Sequence, residues 1–521
     1  MVPQWVKKSW IYPSLRRTAS ALEKGLVQME YALLSRPQRQ AELLEQIQTL
    51  PRSNGSRYYQ SLSIRLGIVS DSFLYENYFP TCQLRYLTPD NWEALLGDLD
   101  CLLVTSVWHG LSGEWTGASV PNSPACGRLC ALMEAARKRG LPVLFYSKED
   151  PPNFHCFQQY AALADFIYTS AQECVPRYEA LFPGVPVDTM RFAVSPTLHN
   201  PIGMKPLNQE SGVFFAGSWM KKYPKRVQQQ GELFNWVRQA GLPLEIADRN
   251  YARCSFRYCY PLRYLSSVVS NFSYEQIAGL YKLYAWALNL NSVTDSEDMF
   301  SMRVYDALAC GSLVLSNESV GMERLFPQVC VIHSYEELRQ ILEQPTQQLE
   351  ARRLDGIRQV FRAGTVYEKM GEMLHRAGVI KDSAPCRSVG VVLPEGTPNL
   401  EAYHKMFEAQ SYPNLRLISS PLDTQAIAAC DIVAPWGPGR VYGPHYMEDM
   451  INGFKYTDCR YVAKPAPGGA GHRYTGRIDD GYAAVFWRDC WPEAAAGLPF
   501  DGPLDMDGGY CSDRADYALT D

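Results

Sequence analysis

Two aspartates eight residues apart flank an arginine in the run Asp298-Met-Phe-Ser-Met-Arg303-Val-Tyr-Asp306-Ala-Leu-Ala-Cys-Gly311-Ser-Leu-Val-Leu. The apolar spacing after Ser301 predicts a helix that Gly311 ends and a strand that follows it. A helix starting near Ser301 offers unbonded backbone N–H groups to an anion such as a diphosphate, and Arg303 in its first turn adds a charged donor. Asp298 would then lie in the preceding loop and Asp306 about one and a half turns into the helix. So placed, the two carboxylates can accept hydrogen bonds from the hydroxyls of two different sugars. On spacing alone a purely structural reading stands level with this one: Asp298 as a helix N-terminal acid and Asp306 as a local partner of Arg303.

A second candidate cluster follows the apolar run Val213-Phe-Phe-Ala-Gly217-Ser218, where Lys221, Lys222, Lys225 and Arg226 come within eight residues of Ser218. Basic residues at a helix start are commonly just solvated. Directly after a strand and a glycine turn, however, at least one is expected to meet phosphate, Arg226 first and Lys222 second, with Ser218 donating its N–H or hydroxyl. Two further loops follow predicted strands. Val107-Trp108-His109-Gly110-Leu-Ser-Gly-Glu114-Trp115 combines a histidine, an acid and two indoles, and Ser147-Lys148-Glu149-Asp150-Pro151 concentrates charge. His109, Glu149 and Asp150 are the candidate general bases, and the tryptophans are candidate platforms for sugar faces. An inverting reaction needs such a base, whereas a retaining one can lean on the donor phosphate, and the residues leave both open.

These loops need strands to position them. IRLGIVS (64–70), DCLLVTSVW (100–108), PVLFYS (142–147), DFIYTS (165–170) and VDTMRFAV (187–194) alternate with helical stretches such as 124–140 and 174–184. The near-continuously apolar strands predict a parallel sheet covered on both faces. The pattern repeats after residue 200, with strands at 212–218, 242–248, 286–292, 312–317 and 329–334 and helices at 225–240, 274–284 and 302–310. Residues 335–378 read as helical. Four regions result: a helical extension (1–60), ending in a linker at 51–56; a Rossmann-like acceptor domain (61–200); a Rossmann-like nucleotide-sugar domain (201–380); and a smaller α/β module (385–521). The second half of that module shows little regular structure, and Asp501, Asp505 and Asp507 read as a polar loop.

The 521 residues, 46% hydrophobic and 20% charged, suit packed globular domains. A net charge of -5 lacks the basic footprint of a nucleic-acid binder. Fifteen cysteines without a CxxC pair fit reduced thiols of a cytoplasmic protein better than a metal or disulfide framework. In the first forty residues seven basic side chains face two acidic ones, and Leu22, Leu26, Met29 and Leu33 recur at helical spacing. Such a helix can make peripheral contact with anionic lipid through residues 1–40, although packing of the apolar stripe on the catalytic body is the simpler expectation.

The run from Asp298 to Gly311 resembles the donor-binding signature of GT-B glycosyltransferases, in which an acid, seven residues and a second acid precede Ala-x-Ala-x-Gly. Here both acids are Asp where the signature usually has Glu, so each carboxylate reaches one methylene less far. The resemblance implies two doubly wound Rossmann-like domains facing a cleft, with the first acid (Asp298) on the donor sugar and the second (Asp306) on the ribose. It extends through Val213–Ser218, Asn271–Tyr281, Ala287–Asn291 and Met322–Phe326, which together are similar to the spore-maturation-protein (CgeB-like) branch. Coverage is roughly residues 61–378.

Phe407-Glu-Ala-Gln-Ser-Tyr-Pro-Asn-Leu-Arg-Leu-Ile418 resembles the opening of a family 2 (GT-A) glycosyltransferase, and Tyr442–Met450 with Phe454–Asp458 its later helix. Where that fold carries an acidic metal motif stands Ala434-Pro-Trp-Gly-Pro-Gly-Arg440, which implies a degenerate, non-catalytic module. The expectation is a metal-independent, cofactor-free transfer of a sugar from a nucleotide diphosphate, UDP in the first instance, to a carbohydrate or cell-envelope acceptor. A GT-B-fold nucleotide-sugar epimerase, a phosphorylase and a non-catalytic carbohydrate-binding scaffold are the alternatives.

Overall fold

The computed structural model describes residues 12–520 apart from 208–211, 383–385, 395, 497, 499 and 501, with side chains from residue 21 onward. Lys7, Lys8 and Asp501 lie outside the described residues. The chain forms two compact units. The first comprises the described part of 1–50 together with Lys205–Asp295 and Phe300–Gly356, and the second comprises Pro51–Met204, Ser296–Met299 and the described part of 357–521.

In the second unit, β1 (Leu62–Val69), β2 (Cys82–Tyr86), β3 (Cys101–Thr105), β4 (Val143–Ser147), β5 (Phe166–Thr169) and β6 (Val187–Thr189) form a parallel sheet in the order β2-β1-β3-β4-β5-β6. Every residue of β3 and β4 is buried, as their unbroken apolar runs require. The helix Pro124–Lys138 starts where Ser123 accepts the amide of Cys126, and closes at Gly140, whose φ of +74° suits glycine.

In the first unit, β7 (Val213–Gly217), β8 (Leu244–Asp248), β9 (Val268–Ser270), β10 (Trp286–Leu288), β11 (Leu313–Ser316) and β12 (Cys330–Val331) are parallel in the order β12-β11-β10-β7-β8-β9. Numbered from β7, this is the six-strand order of the dinucleotide-binding fold, and the first sheet follows the related 2-1-3-4-5 order. Both sheets are therefore doubly wound, as the GT-B class requires. Their strand order reverses between β1 and β3 and between β7 and β10, and ligands of open α/β sheets bind at such switch points.

The C-terminal region carries far more regular structure than the sequence suggests. Beyond β13 (Val389–Val392) and β14 (Leu415–Ile418) come β15 (Ile432–Pro435), β16 (Arg440–Tyr442), β17 (Tyr461–Ala463), β18 (Arg473–Ile478), β19 (Ala484–Trp487), β20 (Leu504–Cys511) and β21 (Tyr517–Leu519). Seven of these strands form one mixed sheet, β14-β13-β15-β19-β17-β20-β18, with β19 antiparallel to both of its neighbours. Asp505 and Asp507 lie on β20 and not in a loop. The expected linker at 51–56 is not free either. Ser53 and Ser56 donate to the carbonyls of Tyr456 and Phe454, and the next amides, of Arg57 and Tyr58, bond Thr457 and Phe454. A buried ion network also ties the module to the rest of its unit: Arg358 forks onto Asp449 at 2.7 Å and reaches Asp516, while Lys464 lies between Asp449 and Asp513.

The N-terminal helices, Tyr12–Leu34 and Pro37–Thr49, pack on the second sheet. Val27 and Tyr31 enter its core, and the Tyr31 hydroxyl donates to Asp248 at 2.9 Å. Leu22, Leu26, Met29 and Leu33, expected to make that contact, are instead exposed, because the helix turns the Val27–Tyr31 face inward. The basic residues are partly consumed: Arg36 and Arg39 both donate to buried Glu245, at 3.1 and 3.0 Å, and Tyr284 donates to the same carboxylate. Replacing Glu245 by Ala strands these three donors. The expected loss is on the order of 2 kcal/mol, most of it from the buried Tyr284 hydroxyl, since the arginines are partly in water. Thermal unfolding should show the loss, and trypsin should cut faster at Arg39; unchanged cleavage would mean that Glu245 does not hold the helices down.

Candidate functional site

The turn after β7 lies at the switch point of the second sheet. A β-carbon on Gly217 would come within 2.5 Å of the Phe215 ring, so glycine leaves room for that ring at the strand end, and Arg303 Nη2 lies close by, 3.3 Å from the same position. Arg303 opens the short helix Arg303–Ala309, lies over Phe215 at 5.2 Å, and donates to Asn289 Oδ1 at 3.1 Å and to Ser301 Oγ at 3.3 Å. Asn289 directly follows β10, so one side chain links the ends of both switch-point strands.

Arg226 comes from the first turn of the helix Pro224–Gln239 and is buried. It donates to the Ser218 carbonyl at 3.0 Å, while its Nε has no partner. Burial and the neighbouring Arg303 lower its pKa to about 10. Neither arginine forms an ion pair among the described residues. Ser218 Oγ accepts from Asn250 at 2.8 Å. The other cations of the cluster face elsewhere: Lys221 meets Cys259, Lys222 covers the Tyr223 ring and Lys225 reaches Glu318. The structure therefore brings Ser218, Arg226, Arg303 and Asp306 into the strand-end region of one unit and turns Lys222 onto a tyrosine.

Asp306 is buried and accepts from the Tyr274 hydroxyl at 3.1 Å. Burial raises its pKa to about 7 against the opposing pull of Tyr274 and Arg303. Asp298, the other acid of the run, belongs to the second unit. Arg191 holds its Oδ1 with two nitrogens at 2.8 and 2.6 Å, and Oδ2 accepts the Gln172 amide at 3.3 Å. The sequence gives no motif for Arg191, which follows a short strand as a lone basic residue.

At the first sheet's switch point the organising residue is Asp71, just past β1, which no motif in the sequence marks. Its carboxylate accepts the amides of Trp108, His109 and Gly110 and lies 3.2 Å from Lys148 Nζ. Burial works against ionisation there, but Lys148 and the three amides outweigh it and hold the pKa below the usual range. Lys148, itself buried, also bonds Glu149 at 3.0 Å. His109 is exposed, with Nδ1 3.2 Å from Thr116 Oγ1. Glu149 is partly exposed. Asp150 is fully buried, accepting from Thr169 at 2.7 Å and Tyr178 at 3.0 Å, which gives it the geometry of a core support. Trp115 is also fully buried, with Nε1 on the Leu87 carbonyl, so it is not a platform for sugar.

Residues 232–374 match a family model described as glycosyl transferase-like. That stretch runs from within the helix after β7, past β12, into the helix Val366–Arg376 and includes Asp298, Arg303 and Asp306; the chain thus carries a glycosyl transferase-like enzyme domain. Among curated proteins no sequence relative matches. The solved structures it resembles include Anabaena HepE in complex with UDP-glucose (10% identity, 61% of this chain and 100% of that one, TM-score 0.39). Sucrose-phosphate synthase from Thermosynechococcus elongatus is similar to the same degree (10% identity, 60% and 98%, TM-score 0.39). At these scores the likenesses carry no part of the site assignment. Among the described residues no helix is long and apolar enough to cross a membrane, and no group of three His, Cys, Asp or Glu is placed to hold a metal ion.

The raised pKa of Asp306 has a signed consequence. The folded protein holds this proton more tightly than the unfolded chain, so the stability it contributes is complete below the ordinary carboxylate range and is lost as pH rises through about 7. Asp306→Asn mimics the protonated form. Its stability should match the parent near pH 3, exceed it increasingly as the pH rises, and reach by pH 8.5 a gain of ~1.4 kcal/mol for each pH unit between the folded and unfolded pKa values. A constant difference across that range would show that Asp306 is ionised at low pH.

Proposed function

We propose that the protein is a glycosyltransferase that binds the diphosphate of a nucleotide sugar between Arg226 and Arg303. The observation that carries this reading is a pair of neighbouring guanidiniums, one buried and one half-buried, at the switch point of a doubly wound sheet, with no ion pair to either among the described residues. A buried cation is costly unless an anion meets it, and planar guanidinium donors match phosphate oxygens. Asp306, with Tyr274 beside it, is the proposed ribose contact. Asp298 is the proposed contact for a donor-sugar hydroxyl. The donor is a UDP-sugar in this proposal, the acceptor a carbohydrate of the cell envelope, and transfer proceeds at the cytoplasmic face without a metal, because the arginines carry the positive charge a cation would supply.

In titration calorimetry with EDTA present, Arg226→Ala and Arg303→Ala should each weaken UDP-sugar binding by about 1.5–3 kcal/mol, or 10- to 100-fold, while Lys222→Ala changes it little. Parent-like binding in both arginine variants, or binding by the parent only after metal is added, would rule the site out.

For the acceptor side we propose His109 and Glu149 as the candidate bases, with Asp150 a support beneath them. The base needs a reachable side chain, and only the first two have one. Substituting the true base should lower turnover by roughly 10²-fold and leave donor affinity near the parent's. Full activity of both His109→Ala and Glu149→Gln would remove them from the mechanism.

We propose that the C-terminal module is a family 2-like, non-catalytic body. In place of a metal motif, Trp436 is fully buried and stacks on Tyr442 at 4.2 Å, and Arg440 pairs with Asp480. Aromatic rings fill the region.

A further inference from the structure

Three asparagines lie buried past the ends of two neighbouring strands, Asn289 and Asn291 after β10 and Asn317 after β11. They belong to a hydrogen-bonded chain in which every donor points the same way. Arg303 Nη1 donates to Asn289 Oδ1 at 3.1 Å, and Asn289 Nδ2 donates to Asn291 Oδ1 at 3.1 Å. The Asn291 backbone amide donates to Asn317 Oδ1 at 2.8 Å. Asn317 Nδ2 then donates to Gln229 Oε1 at 3.2 Å, and Gln229 Nε2 to the Glu318 carboxylate at 3.1 Å. A guanidinium can only donate and an ionised carboxylate can only accept, so the two ends dictate how each amide between them is turned. The side branches agree. Asn291 Oδ1 also accepts the Ser301 amide, Asn317 Nδ2 also donates to the Asn291 carbonyl, and Ser316 Oγ accepts from both Asn289 and Asn291.

A carboxylate at position 289 would meet Arg303 directly and cancel the charge intended for phosphate. An amide there orients the guanidinium without cancelling it, but brings N–H groups of its own that must be satisfied once buried. The chain passes that demand along, and its terminal anion, Glu318, stands partly exposed beside Lys225. It also joins the two guanidiniums mechanically. Gln229 lies about one turn after Arg226 on the helix Pro224–Gln239, while Asn289 holds Arg303 and Asn291 holds the Ser301 amide just before it. We propose that Asn291 and Asn317 are positioning residues for the donor, keeping the Arg226 and Arg303 guanidiniums in fixed register for a diphosphate. This assignment rests on the diphosphate reading given above. Away from water each bond of such a chain polarises the next, so a break in the middle loosens both ends.

Titration calorimetry of the full chain with uridine and with UDP, EDTA present, tests this through the ratio of the two affinities. Asn317→Ala and Asn291→Ala should each lower that ratio about 5- to 10-fold while uridine affinity stays at the parent's value. Because both asparagines are buried, a second pair of variants at partly exposed positions keeps the test independent of folding. Gln229→Glu sets a carboxylate against Glu318 with no hydrogen between them, and should lower the ratio several-fold. Adding Glu318→Gln supplies the missing hydrogen and should return the ratio to within about twofold of the parent's. An unchanged ratio in the asparagine variants, or equal losses for uridine and UDP, would overturn the assignment and leave the asparagines a purely structural role. A Gln229→Glu loss that Glu318→Gln does not repair would also overturn it, tracing the loss to a carboxylate near Arg226. A parent that binds UDP no more tightly than uridine would overturn the diphosphate reading, and this assignment with it.

Discussion

A positive charge taken out of water must be met by an opposite one, and the second sheet leaves that requirement unfilled at its switch point. Arg226 reaches the Ser218 carbonyl and Arg303 the Asn289 amide oxygen, and these neutral acceptors orient the two guanidiniums without neutralising them. Gly217 is small because the Phe215 ring lies beside it, and Phe215 offers its ring face to Arg303. The strand order serves this arrangement: Arg303 lies beside the end of β7 and bonds Asn289 just past β10, the two strands at which the order reverses.

The first sheet solves a different problem. Its switch-point loop, 108–110, is held by an aspartate that takes three consecutive backbone amides, and Lys148 beneath cancels the charge. Asp71 is committed to the loop and Asp150 to the core, while the His109 ring is exposed and Glu149, held by Lys148 and Asn153, is partly so. A loop fixed by a buried ion pair positions such side chains more tightly than a solvated one.

Much of the fold was legible because buried parallel strands are apolar without alternation, as in Cys101–Thr105 and Leu313–Ser316. β2 escaped because it alternates buried and exposed residues at the sheet edge, and β9 because it spans only three residues. Periodicity also located a stripe on the first helix but could not say which face was inside; the pair Val27 and Tyr31 that enters the core is too sparse to announce itself. At the site, Arg226, Arg303 and Asp306 stood out because they follow a strand and glycine or flank one another. Asp71 and Arg191 did not, since one charged residue after a strand is ordinary until its partners are known. The C-terminal sheet was obscured by its glycines, prolines and tyrosines, of which Tyr442, Tyr446, Tyr461 and Tyr510 pack as buried rings instead of marking loops.

The central claim is that the paired arginines recognise a diphosphate, and a calorimetric series of uridine, UMP and UDP against the full chain addresses it most directly. The account requires affinity to climb with each phosphate, with the largest gain on reaching UDP and a marked loss of that gain in high salt. Uridine and UDP binding equally well, or a phosphate gain untouched by salt, would contradict it.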